Sequence, residues 1–383
     1  MSDDDVDEDL LALLRKSLGI DSGNGAPKPA KTGVLEDAEF IYDNAADVAL
    51  DMRGTKAAAT SIWGLIQEKG YSARDWSKHD LHPKVKDSTT VEFIFLMDLI
   101  NFSFWSDHDD TEQAFAVEYK GKKWTGYWSL VAAIQRALDE GIPITSPDFW
   151  VNEKKCTDDV LRHVFRSATA EDMPLLDDRI YCIREAGYVL EKHFDGSFLA
   201  CIEEANGSAA ALVNLLADTF PCLDDRHRFD GNTVRFYKRA QILVADLWAC
   251  FEGESYGYFH DINQITMFAG EDSFSVPNNF SLQESDYRIP QMLHSLGCLQ
   301  YSPPLESHIR RRKAIESGHP WETQLRGCSI WCVEMLRREI LRLHPEAQIN
   351  AILIDFFLYD TVKEMEARGL ENIPHHRTRS IWY

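Results

Sequence analysis

Two aspartates lie inside an apolar and aromatic run near the end of the chain, where a charge is costly to bury. Asp355 and Asp360 belong to the segment ILIDFFLYD, which has helical spacing. A carboxylate in such surroundings costs several kcal/mol unless a cation pairs with it. Five residues apart on a helix, the two side chains point roughly 140° from each other, so both contact one ligand only if it lies across the helix. The alternative to ligand binding is that the two aspartates pair with internal arginines such as Arg326 or Arg379.

Lys238 is the next residue whose type and position suggest chemistry. It begins the segment KRAQILVADLW, near Gln241 and on the face away from the apolar stripe of the predicted helix. Its ammonium could bind a phosphate, or it could orient a carboxylate and a water molecule. It could equally be a surface lysine, whose stem covers apolar surface while the charge stays in water.

Asp286 opens the segment DYRIPQML and stands just before a predicted helix over residues 289–296. Aspartate is a favoured residue at the N-cap of a helix, because its side chain accepts hydrogen bonds from the free N–H groups of the first turn. From the residues alone, a capping role is therefore the first interpretation of Asp286.

The elements that must position these residues are mostly helices. Apolar residues recur at helical spacing in three segments, which predicts three amphipathic helices; their stripes are Phe236, Ala240, Leu243, Leu247 and Phe251, then Cys328, Trp331, Cys332 and Met335, then Ile349, Ile352, Leu353 and Phe356. In the segment AFAVEYKGKKWTGYW, apolar and polar residues alternate on both sides of a Lys-Gly-Lys turn, which predicts one β-hairpin. We therefore predict a mainly α-helical single domain over residues 34–383, with a small β-hairpin element.

Two segments have compositions typical of irregular structure. Residues 1–33 combine a short acidic amphipathic stretch with the linker GNGAPKPAKTG, and this predicts a flexible tail. Residues 270–285, GEDSFSVPNNFSLQES, are polar, rich in turn formers and without period. They predict an exposed loop insertion inside the domain.

Charge and cysteine usage limit the classes of partner. The formal charge of −22 disfavours broad binding to a nucleic-acid backbone, which needs clustered basic residues. Eight cysteines without a CxxC pair are predicted to be buried reduced thiols in a cytoplasmic protein, and no metal site is expected. No apolar run reaches the length of a membrane span, and the acidic start of the chain is unlike a signal peptide.

Several separated segments resemble the queuosine salvage protein family. They are LINFSFW at 99–105, TGYWSLVAAIQRALDEGIPIT at 125–145, KRAQILVADLW at 238–248, DYRIPQML at 286–293, and RGCSIWCVE at 326–334 with HRTRSIWY at 376–383. The resemblance runs from about residue 35 to the end. It implies a cofactor-independent hydrolase that releases the base queuine from queuosine 5'-phosphate, with a helical fold like that of DNA glycosylases.

The resemblance also implies roles for individual residues. Queuine is a 7-deazaguanine, so its base cannot be protonated at N7 and the enzyme must stabilise positive charge on the sugar. Asp286 matches the carboxylate that does this beneath C1', assisted by Lys238. The substrate-binding residues implied are His79, Phe268, Arg288, Asp355, Asp360 and Arg379. Arg379 either reaches the phosphate or ties the chain end down through salt bridges, and Phe268 either stacks on the base or belongs to the core.

One departure from the family pattern concerns the proposed carboxylate. The family reads Met-Phe-Ala-Asp-Tyr-Arg without a break, whereas here sixteen residues separate Met267-Phe268-Ala269 from Asp286-Tyr287-Arg288. Asp272 competes for the role, but the Tyr-Arg-x-Pro-Gln pattern follows Asp286. The alternative function is a non-catalytic nucleoside or nucleic-acid binding protein with a glycosylase-like helical fold, against which the net charge weighs.

Overall fold

Helices make up most of the regular structure, as the sequence predicts. The computed structural model describes residues 30–70, 73–108, 112–267, 288–367 and 373–383. The α-helices in chain order are α1 (Val34–Asn44), α2 (Met52–Lys69), α3 (Ser88–Leu99), α4 (Tyr127–Asp139), α5 (Pro147–Trp150), α6 (Asp158–Val164), α7 (Leu176–His193), α8 (Phe198–Glu204), α9 (Ala209–Thr219), α10 (Lys238–Cys250), α11 (Arg288–Ser295), α12 (Pro303–Arg310), α13 (Pro320–Leu343) and α14 (Ala351–Ala367). The predicted likeness to DNA glycosylases stays a prediction, and the 270–285 insertion lies outside the described residues.

Local sequence sets the ends of several helices. The Asp51 carboxylate accepts hydrogen bonds from the N–H groups of Arg53 and Gly54 at 2.8 and 3.0 Å, which satisfies two free donors of α2. The same helix ends at Gly70, whose φ of 59° is easily adopted only by glycine. Short polar residues therefore define where this helix begins and ends.

The described residues also contain three short antiparallel strand pairs. Strands β2 (Val117–Tyr119) and β3 (Lys122–Trp124) form the predicted hairpin. A second hairpin joins β4 (Arg226–Phe229) to β5 (Asn232–Arg235), and a third pair joins β1 (Val48–Leu50) to β6 (Leu299–Tyr301). The last two pairs were not predicted, so the β content is larger than one hairpin.

The core is built around α10, α13 and α14, the three helices predicted from apolar stripes. Helix α13 packs against α1 and α2, α10 packs against α3 and α9, and α14 packs against α11 and α13. Helix α10 is buried on nearly every side, which identifies it as a central helix and not an amphipathic surface helix.

All eight cysteines are free and buried, as predicted.

Among the residues that the structure describes, no helix combines the length and the apolar character required to cross a lipid bilayer.

Two glycines of α2 provide a test of the packing between α2 and the chain before β6. A Cβ on Gly54 would come within 2.0 Å of the Gly297 carbonyl oxygen, whereas a Cβ on Gly64 meets no atom within 4 Å. We expect Gly54→Ala to lower the free energy of unfolding by about 1–3 kcal/mol, because backbone must move to admit the methyl group. Gly64→Ala, the matched control, should raise it by about 0.5–1 kcal/mol. Urea unfolding measures both, and equal stabilities would contradict the close approach.

Candidate active site

Lys238 is the first residue of α10, and its side chain is buried with only 1% exposed. The interpretation of Lys238 as a surface lysine is therefore wrong. Its Nζ has no hydrogen-bond partner among the described residues. The ammonium lies 5.8 Å from the centre of the Tyr383 ring, whose face offers weak electrostatic attraction to a cation. A buried ammonium without hydrogen bonds is an unusual arrangement that a bound anion or polar ligand would complete.

Asp355 lies on α14 and is also fully buried, with neither carboxylate oxygen hydrogen-bonded within the described part of the chain. Burial raises the pKa of Asp355 well above its usual value, and the nearby charge of Lys238 opposes that rise. The alternative partners from the sequence are engaged elsewhere, since Arg326 pairs with Asp225 and Arg379 pairs with Asp107. Lys238 of α10 and Asp355 of α14 thus form a pair of buried ionisable groups that interact electrostatically.

Asp360 belongs to the same helix as Asp355, but its side chain lies outside the described residues. Its predicted contact with the ligand therefore stays a prediction.

The hairpin of β4 and β5 determines where Lys238 lies. Its Asp-Gly turn at 230–231 returns the chain so that Asp225, just before β4, meets the residues just after β5. The Asp225 carbonyl accepts a hydrogen bond from the Phe236 N–H at 3.0 Å. Its carboxylate accepts one from the Lys238 N–H at 3.2 Å. The chain turns into α10 at Tyr237, which has the left-handed φ of 49°.

Arg326 of α13 holds Asp225 in turn. Nη1 of Arg326 donates to Oδ1 of Asp225 at 3.0 Å and Nη2 donates to Oδ2, a bidentate pair removed from solvent. Burial raises the pKa of Asp225, but Arg326 and His227 lower it by more, so that Asp225 stays ionised. The Arg326 guanidinium also lies 3.9 Å from the Phe236 ring centre and 5.2 Å from that of Tyr383. The sequence analysis did not identify Asp225 or Tyr383 as part of the site.

Phe268, Asp272 and Asp286 all lie outside the described residues, but both ends of their segment are placed. At one end, Gln241 of α10 accepts a hydrogen bond from the Thr266 N–H at 2.9 Å. At the other end, Arg288 begins α11, which packs against α14. The segment therefore leaves the helix of Lys238 and re-enters the described chain beside the helix of Asp355.

Arg288 is buried with 1% of its surface exposed, and it donates from Nη1 to Oε1 of Gln291 at 3.2 Å. Gln291 donates to the Ile373 carbonyl at 2.7 Å. These bonds fix the start of α11, two residues after Asp286. Whether Arg288 also contacts substrate stays a prediction.

His79 lies in a different environment. Its ring stacks on Trp128 with 3.4 Å between centres, and its Nδ1 accepts a hydrogen bond from the Leu81 N–H. Burial lowers the pKa of His79 to about 4, so the ring is neutral at physiological pH. No contact among those of the described residues links His79 to Lys238 or Asp355. The role of His79 in base binding stays a prediction.

Arg379 anchors the end of the chain. Its guanidinium lies 3.9 Å from the Trp105 ring centre, donates to the Trp105 carbonyl at 3.2 Å and pairs with Asp107 at 3.0 Å. These contacts match the second of the two roles considered for Arg379, which was to tie the chain end down. A phosphate contact stays a prediction.

A metal site is a separate question from these side chains. Within the described ranges, no group of three or more His, Cys, Asp or Glu side chains is arranged to hold a metal ion.

Comparisons with known proteins cover nearly the whole chain. The sequence profile of the family described as "Queuosine salvage protein" matches residues 81–383. A Schizosaccharomyces pombe protein named queuosine 5'-phosphate N-glycosylase/hydrolase is 44% identical over 363 residues, which cover 91% of this chain and 99% of that protein. Relatives of the same name from Mus musculus and Sphaerobacter thermophilus are 39% and 34% identical, over 91% and 92% of this chain and 98% of each relative. The matched length includes the helices that carry Lys238, Arg326 and Asp355.

Proposed function

This chain belongs to the queuosine salvage protein family, and we propose that it hydrolyses the N-glycosidic bond of queuosine 5'-phosphate and releases queuine. Relatives from a fungus, a mammal and a bacterium carry the name of that enzyme, and the chain spans nearly their full length. The rival function, a non-catalytic nucleoside or nucleic-acid binding protein, finds no support in these names.

The observation that carries the proposal is the buried pair of Lys238 and Asp355. Both groups are removed from water, and neither has a hydrogen-bond partner among the described residues. A fold retains such a cost where a ligand supplies the missing partners. Queuine has a cationic aminomethyl arm and a guanine-like edge with N–H donors. Its binding would bring a second cation and N–H donors to the Asp355 carboxylate, in addition to the nearby charge of Lys238.

Bond cleavage in this substrate requires stabilisation of the sugar. A carbon replaces N7 of the base, so the base cannot be activated by protonation at that position. As the bond between C1' and N9 breaks, positive charge develops at C1', and a carboxylate beneath that carbon stabilises it. We assign this role to Asp286, which is two residues before the buried Arg288 at the start of α11.

The atoms of the reaction balance with one water molecule. The water oxygen forms the new bond to C1' as the bond from C1' to N9 breaks with its electron pair on N9. One water proton stays on the new hydroxyl group, and the other passes through the carboxylate to N9, so that the carboxylate is regenerated. The products are ribose 5-phosphate and queuine. We assign Lys238 to the substrate phosphate or to the orientation of Asp286 and water, because its ammonium has no hydrogen-bond partner in the described part of the chain and is available for either contact.

We propose that the enzyme acts on the free nucleotide and not on intact tRNA. The formal charge of −22 opposes broad binding to a phosphate backbone. The eight free, buried cysteines support a reducing compartment such as the cytoplasm. We assign the activity to residues 34–383.

Incubation with queuosine 5'-phosphate tests the function directly. We expect free queuine and ribose 5-phosphate in equal amounts by chromatography, whereas AMP and GMP, which lack the cationic arm, should be hydrolysed far more slowly. A chelator in a parallel reaction tests for a metal requirement. Tight binding without release of base would favour the non-catalytic rival. Hydrolysis of AMP at a comparable rate would identify a general nucleotide glycosidase instead.

A further inference from the structure

We propose that Asp225, Arg326 and Tyr383 are positioning residues that hold the Lys238 ammonium in its working place. The inference rests on the proposed function for the role of Lys238 itself. None of the three is placed at the substrate, and each is argued to act only through Lys238.

The backbone of Lys238 is fixed by Asp225. A carboxylate oxygen of Asp225 accepts the Lys238 N–H at 3.2 Å, and the Asp225 carbonyl accepts the N–H groups of Phe236 and Tyr237 at 3.0 and 3.4 Å. Three consecutive N–H groups thus converge on one residue at the entrance to α10. Tyr237 between them takes a left-handed conformation that non-glycine residues seldom adopt, so the surrounding contacts must hold it there. Asp225 therefore sets the direction in which the Lys238 side chain leaves the helix.

Arg326 links this turn to the Tyr383 ring. Its guanidinium engages both oxygens of Asp225, lies 3.4 Å from Oε1 of Glu322 and faces the Phe236 ring. A bidentate pair at full burial has one favoured geometry, because the planar guanidinium and the carboxylate must stay coplanar. Lysine in place of Arg326 would keep the charge but lose that geometry.

The Tyr383 ring is close to both cations. Its ring centre is 5.2 Å from Cζ of Arg326 and 5.8 Å from Nζ of Lys238. The ring is itself held at both ends, since the Tyr383 hydroxyl is 3.0 Å from Nε2 of His376 and the Tyr383 carbonyl accepts the Ser103 N–H. A lysine has a flexible four-carbon stem, and no hydrogen bond restrains this ammonium among the described residues. The ring face supplies the restraint that the hydrogen bonds do not.

A double-mutant cycle with Lys238→Met tests the inference through activity. In the wild-type background, Arg326→Lys and Tyr383→Leu should each lower kcat/KM about tenfold. Tyr383→Phe keeps the aromatic ring, so its kcat/KM should stay close to that of wild type. In the Lys238→Met background the same changes should alter kcat/KM less than about twofold, because residues that act through one partner are not additive. Full additivity would show that Arg326 and Tyr383 act only on the fold, and would overturn the proposal.

Arg136→Lys is the matched control. Arg136 is a buried arginine that donates hydrogen bonds to the carbonyls of Glu118, Val164 and Arg166. None of its contacts in the described structure is with Lys238 or with the three proposed positioning residues. We expect it to lower the melting temperature but to leave kcat/KM within about twofold of wild type.

A second measurement does not depend on turnover. In protein labelled with 13C at the lysine ε-carbons, the Lys238 signal is the one absent from Lys238→Met. The chemical shift of the Lys238 ε-protons should be displaced by the ring current of Tyr383. Tyr383→Phe should keep this displacement and Tyr383→Leu should remove it. Arg326→Lys should broaden the Lys238 signal. An unchanged signal in Tyr383→Leu and Arg326→Lys would overturn the positioning role even if the proposed substrate proved wrong.

Discussion

Replacing Asp286 with asparagine is expected to slow the release of queuine from queuosine 5'-phosphate roughly a thousandfold or more, while the protein stays folded. Asparagine keeps the shape of the side chain but removes the negative charge that we propose stabilises the developing positive charge at C1'. It can still cap a helix, so α11 should form normally. Single-turnover kinetics with a melting curve of the same sample separate the loss of chemistry from a loss of folding.

Asp272→Asn is the matched control. Asp272 lies in the same segment and, being close to Phe268 in the sequence, is the other candidate for the catalytic carboxylate. Its turnover should remain within about threefold of wild type, as for a surface substitution. If Asp272→Asn is inactive and Asp286→Asn is active, the assignment of the carboxylate moves to Asp272.

Asp355→Asn is expected to weaken queuine binding about 10- to 100-fold and to change guanine binding little. Guanine lacks the cationic arm, whereas queuine loses a charge-assisted contact of about 1.5–3 kcal/mol. Calorimetric titration with both bases measures the difference. If queuine and guanine lose affinity equally, Asp355 does not recognise the arm.

The same variant should change how stability depends on pH. Burial raises the pKa of Asp355, so the folded protein retains a proton that the unfolded chain releases above about pH 4. Because of this proton, the free energy of unfolding falls as the pH rises from about 4 through the pKa that Asp355 has in the folded protein. Asp355→Asn should remove it, so that urea unfolding shows a smaller loss of stability between acidic and neutral pH.

Asp246→Asn is the control for the Asp355 experiments. Asp246 is likewise fully buried on α10, and burial raises its pKa to about 7. It has no described contact with Lys238 or Asp355. We expect its replacement to change the pH dependence of stability in the same direction but to leave queuine affinity unchanged. A loss of queuine affinity in Asp246→Asn would extend the binding site along α10.

The helices were predictable because periodicity is a local property. The stripes that predict α10, α13 and α14 depend only on spacing within each helix, and the structure confirms all three. The burial of Lys238 was not predictable in that way. A stripe describes one face of one helix, whereas the surroundings of Lys238 include the Tyr383 ring and Asp355 of α14, both far away in sequence.

The contacts behind Lys238 show a second limit. Asp230-Gly231 is a strong turn signal, and it could have predicted the β4–β5 hairpin and placed Asp225 beside Phe236. The partner of Asp225 could not have been found by spacing, because Arg326 lies 101 residues further along the chain. Which buried charges meet depends on the packing of distant helices, and a single sequence does not contain that information in local form.

The contacts of α1 and β1 with the last third of the chain have a consequence for synthesis on the ribosome. Gln324 of α13 accepts a hydrogen bond from the N–H of Ala46, 278 residues earlier in the chain, and the strand partner of β1 in the described structure is β6. At about 5–20 residues per second, the start of the domain waits roughly 15–55 s for these partners to be translated. During that interval α1 and α2 expose the apolar surface that α13 later covers. The nascent chain is therefore a natural client for chaperones, and slowing translation before residue 320 should lower the yield of soluble protein.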